Sequence, residues 1–144
     1  MRMGWVDHRV VEEDVADVRL DPVEMGGEVL RVRGSEAGPD LVLEVRSPTG
    51  FHAELPGHGL LVWREPHSLD GEVELLQADG RSDLSRGNDL GRRPVPPVEG
   101  NFGDASDPFP GAMGVRELVD PVTGIALRRI RHEGPAVRFD IDVP

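Results

Sequence analysis

The spacing of glycine and proline restricts this chain to short structural elements. The 144 residues include 18 glycines and 13 prolines, and both occur along the whole sequence. Proline lacks the amide hydrogen that a helix interior uses, and glycine loses more conformational freedom than other residues when it is ordered. We therefore expect short strands joined by turns, and no helical bundle.

Seven segments have the hydrophobic patterns of β-strands. Alternation with a period of two is clear in 28–33, where Leu30 and Val32 oppose the arginines between and after them. This segment and 41–46 flank the turn-forming stretch 34–40, which predicts a hairpin. Segment 59–64 is apolar at four successive positions, which predicts a central strand covered on both faces. The seven segments are 15–20, 28–33, 41–46, 59–64, 71–77, 124–130 and 136–143.

These segments predict an all-β fold, an antiparallel β-sandwich or open barrel of about seven strands, with residues 1–144 forming a single domain. Hydrophobic residues make up 38% of the chain and aromatic residues 4%, so the core must consist mainly of valine and leucine. Residues 79–114 are rich in Gly, Pro and Asp, and they predict one long loop. The best helical candidate is a single turn within 113–119.

The charge composition excludes several classes of partner. All 16 basic residues are arginine, and 27 acidic residues bring the net charge to −11, so we expect binding neither to nucleic acid nor to a membrane. The absence of cysteine excludes disulfides and thiolate zinc sites. No apolar run has the length of a signal peptide or a membrane span, so we expect neither in this chain.

Four segments carry a resemblance to a known family. Residues 40–46 are followed by Leu-Pro-Gly-His-Gly-Leu-Leu-Val-Trp at 55–63, by Gln-Ala-Asp-Gly at 77–80 and by Gly-Asp-Ala-Ser-Asp-Pro-Phe-Pro-Gly at 103–111. In this order they resemble the C-terminal β-rich region of the immune-inhibitor-A-like family of secreted bacterial zinc metalloproteases. The resemblance spans nearly the whole chain, and the two loop motifs are its most specific part.

The catalytic motif of that family is absent from this sequence. Such enzymes bind zinc through a His-Glu-x-x-His helix, because histidines four residues apart project from one helical face. The only His-Glu pair here, His132-Glu133, is followed by Gly134-Pro135, which breaks a helix. Other family positions also differ, since Trp63 is followed by Arg-Glu-Pro and not by His-Ile-Asp.

The resemblance therefore implies a non-catalytic structural domain that supports a metallopeptidase catalytic domain, encoded in cis or nearby. It implies an extracellular location, no enzymatic activity of the chain alone and no zinc in this chain. The alternative is a stand-alone β-sandwich binding module for carbohydrate or protein, which would need an exposed aromatic platform. A self-contained hydrolase is a third hypothesis, but the chain contains no Gly-x-Ser-x-Gly.

Two groups of residues are candidate metal ligands. Ca²⁺ prefers six to eight hard oxygen ligands, and the long loop offers Asn88 and the carboxylates of Asp79, Asp83, Asp89, Asp104 and Asp107. The alternative, which we favour, is that these side chains only cap turns. His52, Glu54 and His58 could meet a transition metal, but we favour the interpretation that they are surface residues on a hairpin.

Two further features have a structural and a functional interpretation. Trp63 ends an apolar strand, so we expect it in the core and not in a ligand platform. The basic cluster Arg128, Arg129, Arg131 and Arg138 either neutralises neighbouring carboxylates, which we favour, or binds an acidic partner surface.

Overall fold

The structure is a computed structural model that describes residues 8–47, 58–68, 70–78, 108–111 and 114–144. Within these residues the chain forms nine strands and a short 3₁₀ turn at Val23–Met25, so the predicted all-β fold is confirmed. The strands are β1 (His8–Val11), β2 (Val15–Leu20), β3 (Val29–Val32), β4 (Asp40–Arg46), β5 (Gly59–Glu65), β6 (Glu74–Leu76), β7 (Leu118–Val119), β8 (Ala126–Glu133) and β9 (Ala136–Asp142).

The first sheet has five strands in the order β1-β3-β4-β5-β6. The predicted hairpin is β3–β4, with Leu30 opposite Leu43 and Val32 opposite Leu41. β1 lies parallel to β3, which departs from the expectation of a purely antiparallel fold. The reason is that β2, between them in sequence, belongs to the other sheet, so the chain returns to the first sheet in the same direction.

The second sheet has four antiparallel strands in the order β2-β9-β8-β7. The register shifts once in β2, between Val15 and Val18, and once in β8, between Arg128 and Arg131. Each shift contains a residue other than glycine with positive φ, Asp17 at 56° and Arg129 at 51°. Both irregularities are β-bulges, which place two successive residues opposite one on the partner strand.

The two open sheets form a sandwich and not a closed barrel. The core consists mainly of leucine and valine, as composition predicts, together with Phe109 and Phe139, and its members come from both sheets. Alternation places Leu30, Leu43 and Val62 on the inner face of the first sheet, where each is 0% exposed.

Several local predictions are wrong in detail. β4 is the central strand of its sheet, and β5 lies one position nearer the edge. β5 is fully buried at Leu60 and Val62 but only half-buried at Leu61 and Trp63, so Trp63 is not a core residue. Segment 71–77 forms a strand only at Glu74–Leu76.

The helical turn proposed within 113–119 is also wrong for the residues that the structure describes there. Leu118–Val119 is a short strand, β7, that pairs with β8. No helix within the described ranges is long and apolar enough to cross a membrane.

Candidate functional site

The segments that carry the family resemblance meet at the start of β5. The amide of Leu60 donates to the carbonyl of Phe109, and the amide of Phe109 donates to the carbonyl of Leu60, both at 2.8 Å. The Phe109 side chain lies in the core and is 1% exposed. The Pro-Phe-Pro-Gly end of segment 103–111 is therefore attached to β5, which contains the Gly-Leu-Leu-Val-Trp part of segment 55–63.

Gly59 is required by this attachment. Its φ is +136°, and a Cβ at this position would lie 2.5 Å from the carbonyl oxygen of Phe109. Any side chain would therefore collide with backbone that is held by two hydrogen bonds. The glycine of the Gly-Leu-Leu-Val-Trp motif has a steric reason to be there.

Two histidines lie beside the same junction. The rings of His58 and His132 have centroids 5.6 Å apart and are tilted by 38°. His132 is exposed, but partial desolvation of its ring lowers its pKa, and the charge of His58 lowers the pKa further. The sequence grouped His58 with His52 and Glu54, which lie outside the described residues, whereas its described neighbour comes from the end of β8.

Asp40, at the start of β4, is 0% exposed and is surrounded by donors. Its carboxylate accepts hydrogen bonds from Arg31 at 3.1 Å and Arg33 at 3.2 Å, and His67 Nε2 lies 3.1 Å from it. Burial raises the pKa of Asp40, but the hydrogen bonds from His67 and Arg31 outweigh that effect, and the pKa lies below its ordinary value. This carboxylate stays ionised and joins β3, β4 and the turn after β5.

A second buried carboxylate lies on the same outer face. Glu44 is 2% exposed and accepts hydrogen bonds from the indole Nε1 of Trp63 and from Arg46, both at 3.1 Å. Sequence alternation places Glu44 away from the sandwich core correctly, but it does not reveal that the residue is buried there. Trp63 holds a carboxylate on this face and does not offer a free indole.

The two sheets are joined by an ion pair between Arg64 and Asp120. Arg64 of β5 donates to Asp120 at 2.6 Å and also pairs with Glu74 of β6. Asp120 is 2% exposed and accepts further hydrogen bonds from the amide and hydroxyl of Thr123, at 3.2 and 2.7 Å. Burial raises the pKa of Asp120, whereas its bonds to Arg64 and Thr123 lower it and dominate. The turn between β7 and β8 is therefore attached to the opposite sheet.

The outer face of the second sheet carries a network of exposed ion pairs. Asp140 in β9 accepts the Asp17 amide at 2.8 Å and pairs with Arg129 through two hydrogen bonds of 2.5 and 2.8 Å, so it joins both bulges. The bond from Arg129 is the main reason that the pKa of Asp140 falls to about 2. The four arginines of the predicted basic cluster each pair with a carboxylate, as the favoured interpretation expects.

The calcium ligands predicted from the sequence belong to the long loop. Asp79, Asp83, Asn88, Asp89, Asp104 and Asp107 all lie outside the described residues, so the calcium site stays a prediction. Within the described part of the chain, no group of three His, Asp or Glu side chains is arranged to hold a metal ion.

The burial of Asp40 and Asp120 is not evident from the sequence pattern. The sequence signal for their burial is weak, because each aspartate stands at a turn beside a strand and resembles an ordinary turn residue. Their burial depends on arginines 9 and 56 positions away in the chain. Arg116 was missed as well, since it stands apart from the basic cluster in sequence.

Comparison of the chain with protein-family models, with curated proteins and with solved structures finds no match.

Proposed function

We propose that this chain is a non-catalytic structural domain of an immune-inhibitor-A-like secreted metallopeptidase, and that it supports a catalytic domain supplied in cis or by a neighbouring gene. The observation that carries the proposal is the pair of hydrogen bonds between Leu60 and Phe109. It brings two of the four segments of the resemblance, 55–63 and 103–111, into direct contact, as expected if they belong to one structural unit.

The described side chains of these motifs are suited to packing. Gly59 allows the close approach of Phe109, and Leu60 and Phe109 fill the core. None of these three residues has a side chain that can act as an acid, a base or a nucleophile. The described part of the motif junction therefore supports a scaffolding role.

The position of the single His-Glu pair also supports the proposal. His132 and Glu133 end β8, and Gly134 and Pro135 form the turn to β9, with Glu133 opposite Ala136. Histidines of a His-Glu-x-x-His motif must lie on a helix to converge on zinc. In the proposed function, zinc and its catalytic residues belong to the partner domain.

The alternative of a carbohydrate-binding module receives no support from the described aromatic residues. Trp63 is half-buried and donates to Glu44, and Phe109 and Phe139 are buried in the core. A carbohydrate platform needs rings whose faces are open to solvent.

The proposal is tested by searching the adjoining coding region for a His-Glu-x-x-His reading frame and producing its product with and without this chain. We expect the catalytic product to cleave casein in the presence of zinc only when this chain is also present. Phe109→Ala in this chain should reduce that cleavage. Glu28→Gln, which alters a partly exposed ion pair with Arg9, is the control and should leave casein cleavage unchanged. Cleavage of casein by this chain alone with zinc would overturn the proposal.

A further inference from the structure

The bulge in β8 concentrates arginine on one face of the second sheet. In a regular strand, alternation from Leu127 would turn Arg129 and Arg131 toward the core and Ile130 outward. The register shift keeps Ile130 at 0% exposure and leaves Arg128 and Arg129 exposed in succession. This arrangement requires Arg129 to adopt a φ of 51°, which is costly for a residue with a side chain.

A fourth arginine lies beside the bulge. The amide of Ile130 donates to the carbonyl of Arg116 at 2.9 Å, so the segment before β7 runs along β8. The result is an open cleft of about 560 Å³, lined by Arg116, Glu117, Arg128, Arg129 and Arg131. A volume of this size is typical of sites for small ligands.

Three of the four guanidinium groups that line the cleft are held in place by carboxylates. Arg129 uses Nε and Nη2 to bind Asp140, and these two bonds leave its Nη1 without a partner among the described residues. Arg128 donates through Nε to Asp142 and through Nη1 to Glu117, and Arg131 donates through Nη2 to Asp17. Side chains that are already ordered lose less conformational entropy when a ligand binds.

Arg116 differs from the other three arginines. Its side chain is exposed, and it makes no ion pair or side-chain hydrogen bond with any residue in the described ranges. Among the described residues, the cleft therefore combines the unpaired guanidinium of Arg116 with three paired ones and one lining carboxylate, Glu117, which pairs with Arg128. The planar fork of a guanidinium matches the oxygens of phosphate, sulfate and carboxylate groups.

We propose that this cleft is a binding site for a small dianionic oxyanion of the phosphate or sulfate class, with Arg116 as the principal donor and Arg129 as its neighbour. A dianion suits the site because its oxygens can accept hydrogen bonds from Arg116 and from the Nη1 of Arg129 while the existing ion pairs stay in place. The proposal does not depend on the function proposed above.

The test is a titration of the full chain at pH 7.5 with inorganic phosphate, sodium sulfate and sodium acetate, each at ionic strength matched with chloride. Amide chemical shifts report the position of binding. We expect saturable shifts at Arg116–Leu118 and Arg128–Arg131, similar affinity for phosphate and sulfate, and at least tenfold weaker binding of acetate.

Arg116→Gln should weaken phosphate binding at least tenfold, whereas Arg9→Gln on the first sheet should leave it within twofold. Both positions are exposed, and a thermal melt checks that each variant is folded. The proposal is overturned if the shifts are scattered or fail to saturate, if Arg116→Gln binds phosphate like the parent, or if acetate binds as tightly as sulfate.

Discussion

Gly59 shows how one backbone position joins two segments that are far apart in sequence. Its positive φ and its missing Cβ allow the carbonyl of Phe109 to approach, and the hydrogen bonds to Leu60 then close the contact. Gly59 is important because it has no Cβ.

Gly59→Ala should lower the free energy of unfolding by more than about 2 kcal/mol, because it combines backbone strain with a collision. Gly134→Ala is the matched control. It also has a positive φ, at +59°, but a Cβ there meets nothing within 4 Å, so strain alone should cost about 1 kcal/mol. Urea denaturation measures both. Equal effects of the two substitutions would contradict the steric role of Gly59.

His132 should make stability depend on pH. Its pKa in the folded state lies below the ordinary value of about 6.5, chiefly because of partial desolvation and also because of His58. The unfolded chain therefore binds the proton more readily, so this contribution is complete above pH 6.5 and is lost as pH falls through the lowered pKa.

We expect the melting temperature to fall between pH 7.5 and pH 5, and to fall less in His132→Asn. His8→Asn, at an exposed end of β1, is the control and should keep the parental dependence. The His132 ring signal in a proton NMR titration should move at a lower pH than 6.5. An unchanged pH profile in His132→Asn would count against this assignment.

At the scale of elements, the connection between β7 and β8 depends on Asp120. Its carboxylate holds the turn through Thr123 and the opposite sheet through Arg64. A two-residue strand such as β7 has few ladder bonds of its own, so this polar attachment explains how it stays in register.

Asp120→Ala should lower the free energy of unfolding by about 3 kcal/mol, because it leaves Arg64 and the turn donors without their buried acceptor. Thr123→Val should cost less, since the Arg64 pair remains. Glu28→Ala, which breaks an exposed pair with Arg9, is the control and should stay within about 1 kcal/mol. If Asp120→Ala behaves like Glu28→Ala in urea denaturation, the ion pair is not what joins the sheets.

At the scale of the whole molecule, the predicted calcium site would couple the long loop to the stability of the sandwich. The described end of that loop, Pro108–Gly111, is attached to β5 and to the core. An ion bound upstream in the loop would therefore stabilise the folded state by mass action.

Millimolar Ca²⁺ should raise the melting temperature by several degrees relative to a chelator, as measured by differential scanning fluorimetry. The double substitution Asp104→Asn and Asp107→Asn should remove the increase, and Mg²⁺ at the same concentration is the control for ionic strength. A midpoint that is the same with calcium and with chelator would leave the five aspartates as turn-capping residues.

The sequence by itself determined the fold class and the hairpin β3–β4, because alternation and turn residues are local signals that act within a few positions. Alternation also assigned Glu44 correctly to the outer face and the inner residues of β9 to the core. These predictions needed no knowledge of what each strand packs against.

Tertiary structure decided the features that depend on partners distant in the chain. Burial of Asp40 and Asp120, the parallel pairing of β1, the bulge at Arg129 and the position of Arg116 beside it all depend on contacts between separate elements. A local pattern shows which residues share a face, but only the assembled sheets show which charges on that face are paired with one another within the described residues.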